Sequence, residues 1–266
     1  MKIIVCIKQV PNTTDVKIDP KTNTLIREGV ESIINPFDMY AIEEAIRLKE
    51  RLKDTVEATT ACLTMGPPQA ESSLREALSM GIDEAVLISD RAFAGSDTWA
   101  TSYTLAETIR SLGDYLLILC GKQASDGDTA QVGPGIAAHL DLPQITFIRK
   151  IEQISKENIV AERLMEYGYD VISSPLPAVI TVVKEINEPR LPSLKGKMRA
   201  KKAEVKKVVK ADLPFNDKFI GLDGSPTIVN KIFSPPKKEP GHVFQEHEID
   251  QGLDVIIKTL RGQNII

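Results

Sequence analysis

Residues 115–135 read YLLILCGKQASDGDTAQVGPG, and this stretch predicts both the fold class and the first candidate site. The apolar run at residues 115–120 has the composition of a buried strand. Three apolar residues that follow the loop, Ile136, Ala137 and Leu140, lie at helical spacing. The order strand, glycine-rich loop and helix is typical of the unit from which nucleotide-binding α/β sheets are built.

The loop within this stretch is rich in groups that contact phosphate or ribose. Its glycines allow close backbone approach to a ligand or a positive φ; they are Gly121, Gly127, Gly133 and Gly135. Its polar side chains can bind ribose hydroxyls or cap the helix; they are Asp126, Asp128, Thr129 and Gln131. The helix start favours a phosphate, although the spacing matches neither G-x-G-x-x-G nor the Walker pattern. The prediction is a nucleotide phosphate site, and a purely structural glycine-rich loop is the alternative.

Strand and helix patterns alternate through residues 1–145 and predict the architecture. This repeated βα winding indicates a doubly wound, mostly parallel sheet with flanking helices on both faces. After Thr146 the shorter patterns at 148–154, 159–165 and 170–173 predict a small antiparallel addition. The apolar run at 178–183 is expected to return to the main sheet.

The C-terminal part of the sequence has a different composition. Residues 1–210 are expected to form the nucleotide-binding α/β domain, and residues 211–266 a proline-rich C-terminal arm with one amphipathic helix at 249–260. The prolines that interrupt the arm are Pro214, Pro226, Pro235, Pro236 and Pro240. The arm is expected to dock on another protein surface, or alternatively on its own domain.

Composition narrows the classes of function. The chain has 266 residues and a net charge of −4, so nucleic acid and anionic membranes are not expected partners. No run of about 18 apolar residues and no signal peptide is recognised, which predicts a cytoplasmic protein without a membrane span.

Side-chain catalysis and metal binding are not indicated. The three cysteines, Cys6, Cys62 and Cys120, are too far apart for a zinc site or a disulfide framework, and they are interpreted as buried residues near the carboxyl ends of strands. The histidines show no ligand spacing, and no nucleophile–base pair is evident.

Two further segments are candidate sites. In the first, NPFD at residues 35–38, Asn35 and Asp38 are expected to cap a helix that Pro36 helps to start. In the second, residues 188–202, prolines are expected to prevent regular structure, and basic residues surround Leu191, Leu194 and Met198. A solvated charged face is the simpler interpretation of the second segment. Nucleic-acid binding is disfavoured because it lacks aromatic residues for stacking.

Six motifs, in the same order, resemble the small (β) subunit of electron-transfer flavoproteins over roughly residues 1–210. They are KIIVCIKQVP, NPFD followed by AIEEAIRLKE, MGPPQ, GKQASDGDTAQVG, LPQITF and EPRLPSLKGKMRAKK. The resemblance implies that Leu194 is an anchor for partner dehydrogenases. It also implies a nucleotide held by Cys6, Asn35, Pro36, Phe37, Asp38 and Met65, together with Gly121, Ala124, Ser125, Asp126, Gly127, Asp128, Thr129, Ala130, Gln131, Val132, Gly133, Pro134 and Gly135.

The same resemblance suggests a branch of the family. The housekeeping branch, whose β subunit holds AMP, has the loop Asp-Asp-Asp-x-Asn-Gln-Thr-Gly; residues 126–133 here read DGDTAQVG and resemble the electron-bifurcating branch. That branch implies FAD in this subunit, NADH as donor, ferredoxin or flavodoxin as low-potential acceptor, and the large (α) subunit and a flavin-dependent dehydrogenase as partners. The alternatives are an AMP-holding subunit and a stand-alone adenine-nucleotide sensor. A nucleotide-dependent ligase would need a phosphate motif such as S-G-G-x-D near the first strand, and this sequence has none there.

Overall fold

The structure is a computed structural model that describes residues 1–12, 31–230 and 241–266. Two compact units are present, Met1–Asn230 and Lys231–Ile266. The prolines at positions 235, 236 and 240 lie outside the described residues.

The first unit is built around a nine-stranded sheet. Its strands are β1 (Lys2–Cys6), β4 (Thr59–Met65), β5 (Glu84–Ile88), β6 (Tyr115–Gly121), β7 (Gln144–Ile154), β8 (Asn158–Met165), β9 (Gly168–Pro175), β10 (Ala178–Val182) and β11 (Lys206–Val208). Their order across the sheet is β11-β5-β4-β1-β6-β10-β7-β8-β9. A separate antiparallel pair is formed by β2 (Gln9–Pro11) and β3 (Ser32–Ile34).

The sheet is parallel from β11 to β7 and antiparallel beyond it. The mostly parallel sheet and the antiparallel addition predicted from the sequence are both confirmed. The addition continues the main sheet, since β7 pairs with β10 on one side and with β8 on the other. Strand β10 returns between β6 and β7, as predicted.

Helices cover both faces of the sheet. They are α1 (Pro36–Leu52), α2 (Glu71–Met80), α3 (Thr98–Ser111), α4 (Val132–Leu140) and α5 (Leu194–Lys202). Residues of α1 and α2, such as Ile42 and Leu74, share one buried cluster with Ile3. Residues of α3 and α4, such as Leu105 and Ile136, belong to the cluster on the opposite face. The doubly wound architecture expected from the sequence is therefore present.

The first unit extends past residue 210. Phe215 packs edge-on against Phe93 with ring centroids 5.1 Å apart, and Thr227 is hydrogen-bonded to Asp97. These contacts place residues 211–230 with the first unit. The functional division expected at residue 210 stays a prediction.

The described part of the second unit contains one α-helix, α6 (Ile249–Gly262), preceded by a single 3-10 turn at Glu246–Glu248. It confirms the helix predicted at residues 249–260. Its apolar residues remain exposed to solvent; they are Ile249, Leu253, Val255, Ile256 and Ile257. Among the described helices of the whole chain, none is both long and apolar enough to cross a membrane.

Candidate functional site

A cavity of about 540 Å³ lies beyond the carboxyl ends of strands β1, β4 and β6. This edge is where open α/β sheets bind their ligands, and the volume lies within the usual range for small-molecule sites. Twelve residues expected in the site line it: Cys6, Asn35, Asp38, Met65, Gly121, Ala124, Gly127, Thr129, Ala130, Gln131, Val132 and Gly133. Seven other expected site residues are not among those that line it: Pro36, Phe37, Ser125, Asp126, Asp128, Pro134 and Gly135.

Asn35 links helix α1 to the glycine-rich loop. Its side chain makes no capping hydrogen bond, so the capping role expected from the sequence is wrong. Instead Nδ2 donates to Gln123 O at 2.8 Å, and Oδ1 accepts from the Ser125 N–H at 3.0 Å. Long-range loop contacts took the place of a local cap. Both bonds therefore fix the loop where it enters the site.

Asp38 joins the end of β6 to the segment that follows β1. Its carboxylate accepts hydrogen bonds from the Lys8 N–H at 2.7 Å and the Gly121 N–H at 3.2 Å, so it too is no simple helix cap. Burial raises the pKa of Asp38 to about 7, while these N–H groups oppose the rise. A Cβ at Gly121 would collide with this carboxylate and with the backbone of Phe37. Glycine is therefore required there for close packing of protein on protein.

The tip of the loop is held by side-chain pairs and carries backbone strain. Lys8 Nζ pairs with Asp126 Oδ1 at 2.6 Å, and Gln123 donates a hydrogen bond to Asp128. Asp128 and Ala130 both have a φ of 54°, in the left-handed region that alanine seldom adopts. Strained backbone of this kind is often found where a ligand is bound.

The loop glycines serve different purposes. A Cβ at Gly133 would lie 2.6 Å from Thr181 Cγ2 on β10, and one at Gly135 would lie 2.5 Å from Ser102 Oγ on α3. These two glycines allow α4 to pack closely on its neighbours, and ligand approach is not needed to explain them. Gly127 also lines the cavity but, unlike Gly133, has open space where a Cβ would be.

Lys122 lines the cavity beside two aromatic rings. Its Nζ lies 6.0 Å from the centroid of Phe37 and 5.6 Å from that of Phe147. A cation so placed is attracted by the faces of the rings. Phe37 thus contributes to the site by positioning Lys122.

Sulfur-containing side chains form part of the floor. Cys6 and Cys120 are in register on adjacent strands, and both line the cavity together with Met65. A hydrogen bond with Cys6, together with burial, raises the pKa of the Cys120 thiol, which favours its neutral form. Cys62 lies in the middle of β4, in the cluster on the other face, so its expected place near the strand end is wrong.

One side of the cavity was not predicted from the sequence. It is formed by the first turn of α3 and by Val229. Asp97 caps α3 by accepting from the Ala100 N–H, and its other oxygen accepts from the N–H and Oγ1 of Thr227 at 2.9 and 2.7 Å. Nothing in the sequence marks Val229, because 96 positions of chain separate it from Gly133.

The segment around Leu194 is not part of this cavity. The sequence predicted that prolines would keep it irregular, and this is wrong from Leu194 onward, where α5 begins. Pro192 precedes the helix and so does not interrupt it. Ser193 caps the helix by accepting from the Gly196 N–H at 3.0 Å. Leu191, Leu194 and Met198 are 90, 77 and 60% exposed.

Comparison with known proteins identifies the family of the chain. The model of a family described as electron transfer flavoprotein domain matches residues 22–213. The chain belongs to this family. Within it, the chain is 47% identical over 267 residues to the electron transfer flavoprotein subunit beta of Thermoanaerobacterium thermosaccharolyticum, covering all of both chains.

Two other relatives are similar over their whole length. The electron transfer flavoprotein subunit beta of Megasphaera elsdenii is 47% identical over 274 residues, and all of both chains is covered. The caffeyl-CoA reductase-Etf complex subunit CarD of Acetobacterium woodii is 46% identical over 266 residues, again with full coverage. The resemblance noted from the sequence motifs is thereby confirmed.

Proposed function

We propose that this β subunit holds FAD in the cavity and, with its large subunit, transfers electrons by flavin-based bifurcation. The observation that carries the proposal is the nature of the loop side chains that face the cavity. Gly127, Ala130 and Val132 all line it, at the positions where the AMP-type loop has Asp, Asn and Thr. Gly127 and Ala130 are smaller than Asp and Asn, and Val132 is less polar than Thr, so this loop leaves room and an apolar surface for a larger ligand.

The residues present fit a nucleotide with a phosphate group. The first-turn N–H groups of α4 have no intrahelical acceptor, and the helix begins at the cavity lining with Val132 and Gly133. An anion is favoured at such a helix start. Met65 and Cys6 offer apolar, polarisable contact for a flat ring. Asn35 and Asp38 hold the loop in place for these contacts.

When bound, the flavin would supply hydride acceptance from NADH and single-electron transfer, and the protein would supply position and electrostatics. One electron would go to the large subunit and the other to ferredoxin or flavodoxin. A flavin-dependent dehydrogenase would be the final partner, docking at Leu191, Leu194 and Met198. The exposed apolar face of α6 would dock on the large subunit. The cytoplasmic location expected from the sequence stays a prediction.

The test is to purify the heterodimer and quantify FAD and AMP per complex. Two FAD and no AMP support the proposal, whereas one FAD and one AMP contradict it and favour the AMP-holding alternative. A triple variant, Gly127→Asp, Ala130→Asn and Val132→Thr, supplies the matched comparison because it recreates the AMP-type loop. It should lose FAD from this subunit and gain AMP, while the flavin of the large subunit remains.

A further inference from the structure

Arg190 is held by two carboxylates of helix α1. Its Nε and Nη2 donate to both oxygens of Glu43, at 2.8 and 3.0 Å, and its backbone N–H donates to Glu43 Oε2 at 3.1 Å. Nη1 and Nη2 donate to Glu50 at 2.7 and 3.1 Å. The side chain of Glu43 is only 6% exposed. Bidentate contacts of this kind fix geometry more strictly than a single ion pair.

The same stretch of chain is tied to the protein at further points. Asn187 Nδ2 donates to Tyr40 O and to Glu44 Oε2, at 3.0 and 2.9 Å, so α1 also holds the residues before Arg190. Arg199 Nη2 donates to Leu78 O and Ile82 O, at 2.7 and 2.8 Å, around the end of α2. The segment 187–202 thus bridges two helices and is fixed on both.

The fixed segment presents an apolar ridge between its tethers, formed by Leu191, Leu194 and Met198. Lys195, Lys197, Lys201 and Lys202 are exposed beside it and form no ion pair with any described residue. The arginines 190 and 199 of this segment therefore bind the protein itself, whereas its lysines remain available to a partner. A protein surface with an apolar pocket surrounded by carboxylates complements this arrangement.

We propose that Arg190 is the positioning residue of the docking surface, and that its clamp on Glu43 and Glu50 holds Leu191 and Leu194 ready for an acidic dehydrogenase. The inference rests on the proposed docking role of Leu194. A ridge held in its bound geometry loses less conformational freedom when the partner binds. Arg190 thereby contributes to partner affinity by fixing the docking surface, and it does not line the cavity.

The experiment uses the complete heterodimer and a purified flavin-dependent acyl-CoA dehydrogenase as the probe. For Arg190→Gln, KM for the dehydrogenase should rise about tenfold, with kcat and nucleotide content unchanged. Amide hydrogen exchange in residues 187–202 should increase. Arg190→Lys should recover only part of the affinity, because an ammonium group cannot reproduce the double bidentate contact.

Two controls keep the result interpretable. The double variant Glu43→Gln, Arg190→Gln removes the buried charge that would otherwise lose its partner, and it should show the same rise in KM. Arg110→Gln, on α3, removes a comparable arginine that contacts Glu107 and His139 O, and it should leave KM unchanged.

Leu194→Ala distinguishes the docking role of Leu194 from the positioning role of Arg190. If Leu194→Ala raises KM but neither Arg190→Gln nor the double variant does, the positioning role is overturned and the docking role stands. Faster exchange in 187–202 with unchanged KM would also overturn the positioning role. If Leu194→Ala itself has no effect on KM, the proposed docking function fails.

Discussion

Asn35 and Ser125 are 90 positions apart in the chain, yet Asn35 Oδ1 accepts a hydrogen bond from the Ser125 N–H at 3.0 Å. The same carboxamide donates to Gln123 O, so one buried side chain holds the glycine-rich loop at two points. The start of helix α1 and the glycine-rich loop are thereby held together by one side chain.

Asn35→Ala should weaken nucleotide binding because the loop loses both contacts. The expected loss is about 1–3 kcal/mol, the usual range for leaving buried polar groups without partners. Titration of FAD and AMP into the nucleotide-depleted heterodimer measures it. Asn216→Ala is the control. Its exposed side chain accepts a hydrogen bond only from the nearby Lys218 N–H, so this variant should leave the affinity for the nucleotide unchanged. Equal affinity of the wild type and Asn35→Ala would refute the role of this contact.

Gly127→Val and Gly133→Val should have opposite consequences. Gly127 lines the cavity and a Cβ there would meet no other atom, so we expect valine at this position to hinder the nucleotide and to leave the melting temperature of the nucleotide-free protein unchanged. A valine at residue 133 must displace Thr181 and should destabilise the fold by about 1–3 kcal/mol. Nucleotide content after gel filtration and thermal unfolding distinguish the two. Stoichiometric nucleotide in Gly127→Val would count against the site.

Asp38 should make stability decrease as pH rises toward neutrality. Its folded-state pKa is raised to about 7, whereas the unfolded carboxyl titrates near about 3.9. Between these values the folded state binds more protons, so the contribution of Asp38 is present at low pH and lost as pH approaches 7. The slope is at most about 1.4 kcal/mol per pH unit.

The comparison with Asp38→Asn measures this effect, because other titrating groups are shared. The difference in melting temperature, wild type minus variant, should fall from pH 5 to pH 7 and then level off. Asp90 is the control: hydrogen bonds from the Ala92 and Lys210 N–H groups lower its pKa, so its contribution is lost only at acidic pH. Asp90→Asn should therefore give a constant difference from pH 5 to pH 8. A constant difference for Asp38→Asn as well would show that its pKa is not raised.

Leu194→Ala should weaken the complex with a partner dehydrogenase by about 1–2 kcal/mol, mainly through faster dissociation.

Lys195→Gln should instead change the association rate constant. Because this lysine is exposed and unpaired among the described residues, its loss should slow association and reduce the salt dependence of binding. Dissociation is measured from the surface-immobilised heterodimer, and association is measured by stopped-flow mixing at several salt concentrations. Unchanged dissociation for Leu194→Ala would contradict the anchor role.

The local pattern of apolar residues was sufficient to predict much of the fold. The apolar run before Gly121 and the helical spacing after it predicted β6 and α4, and the alternation of such units predicted a doubly wound sheet. These elements depend on periodicity and on burial of one face, which neighbouring residues encode. The family resemblance likewise rests on motifs that can be read along the chain.

The tertiary structure alone decided the roles of individual side chains. Asn35 and Asp38 are residue types that often cap helices. The strand order instead brings Ser125 to Asn35 and Gly121 to Asp38, so both side chains hydrogen-bond to the stretch that contains the loop. Gly133 is small because Thr181 on a distant strand lies against it. Thr227 joins the site through Asp97, and Arg190 is fixed by Glu43 and Glu50. Each of these contacts joins residues far apart in sequence, and a local pattern specifies which groups a residue offers but not which groups the fold brings to it.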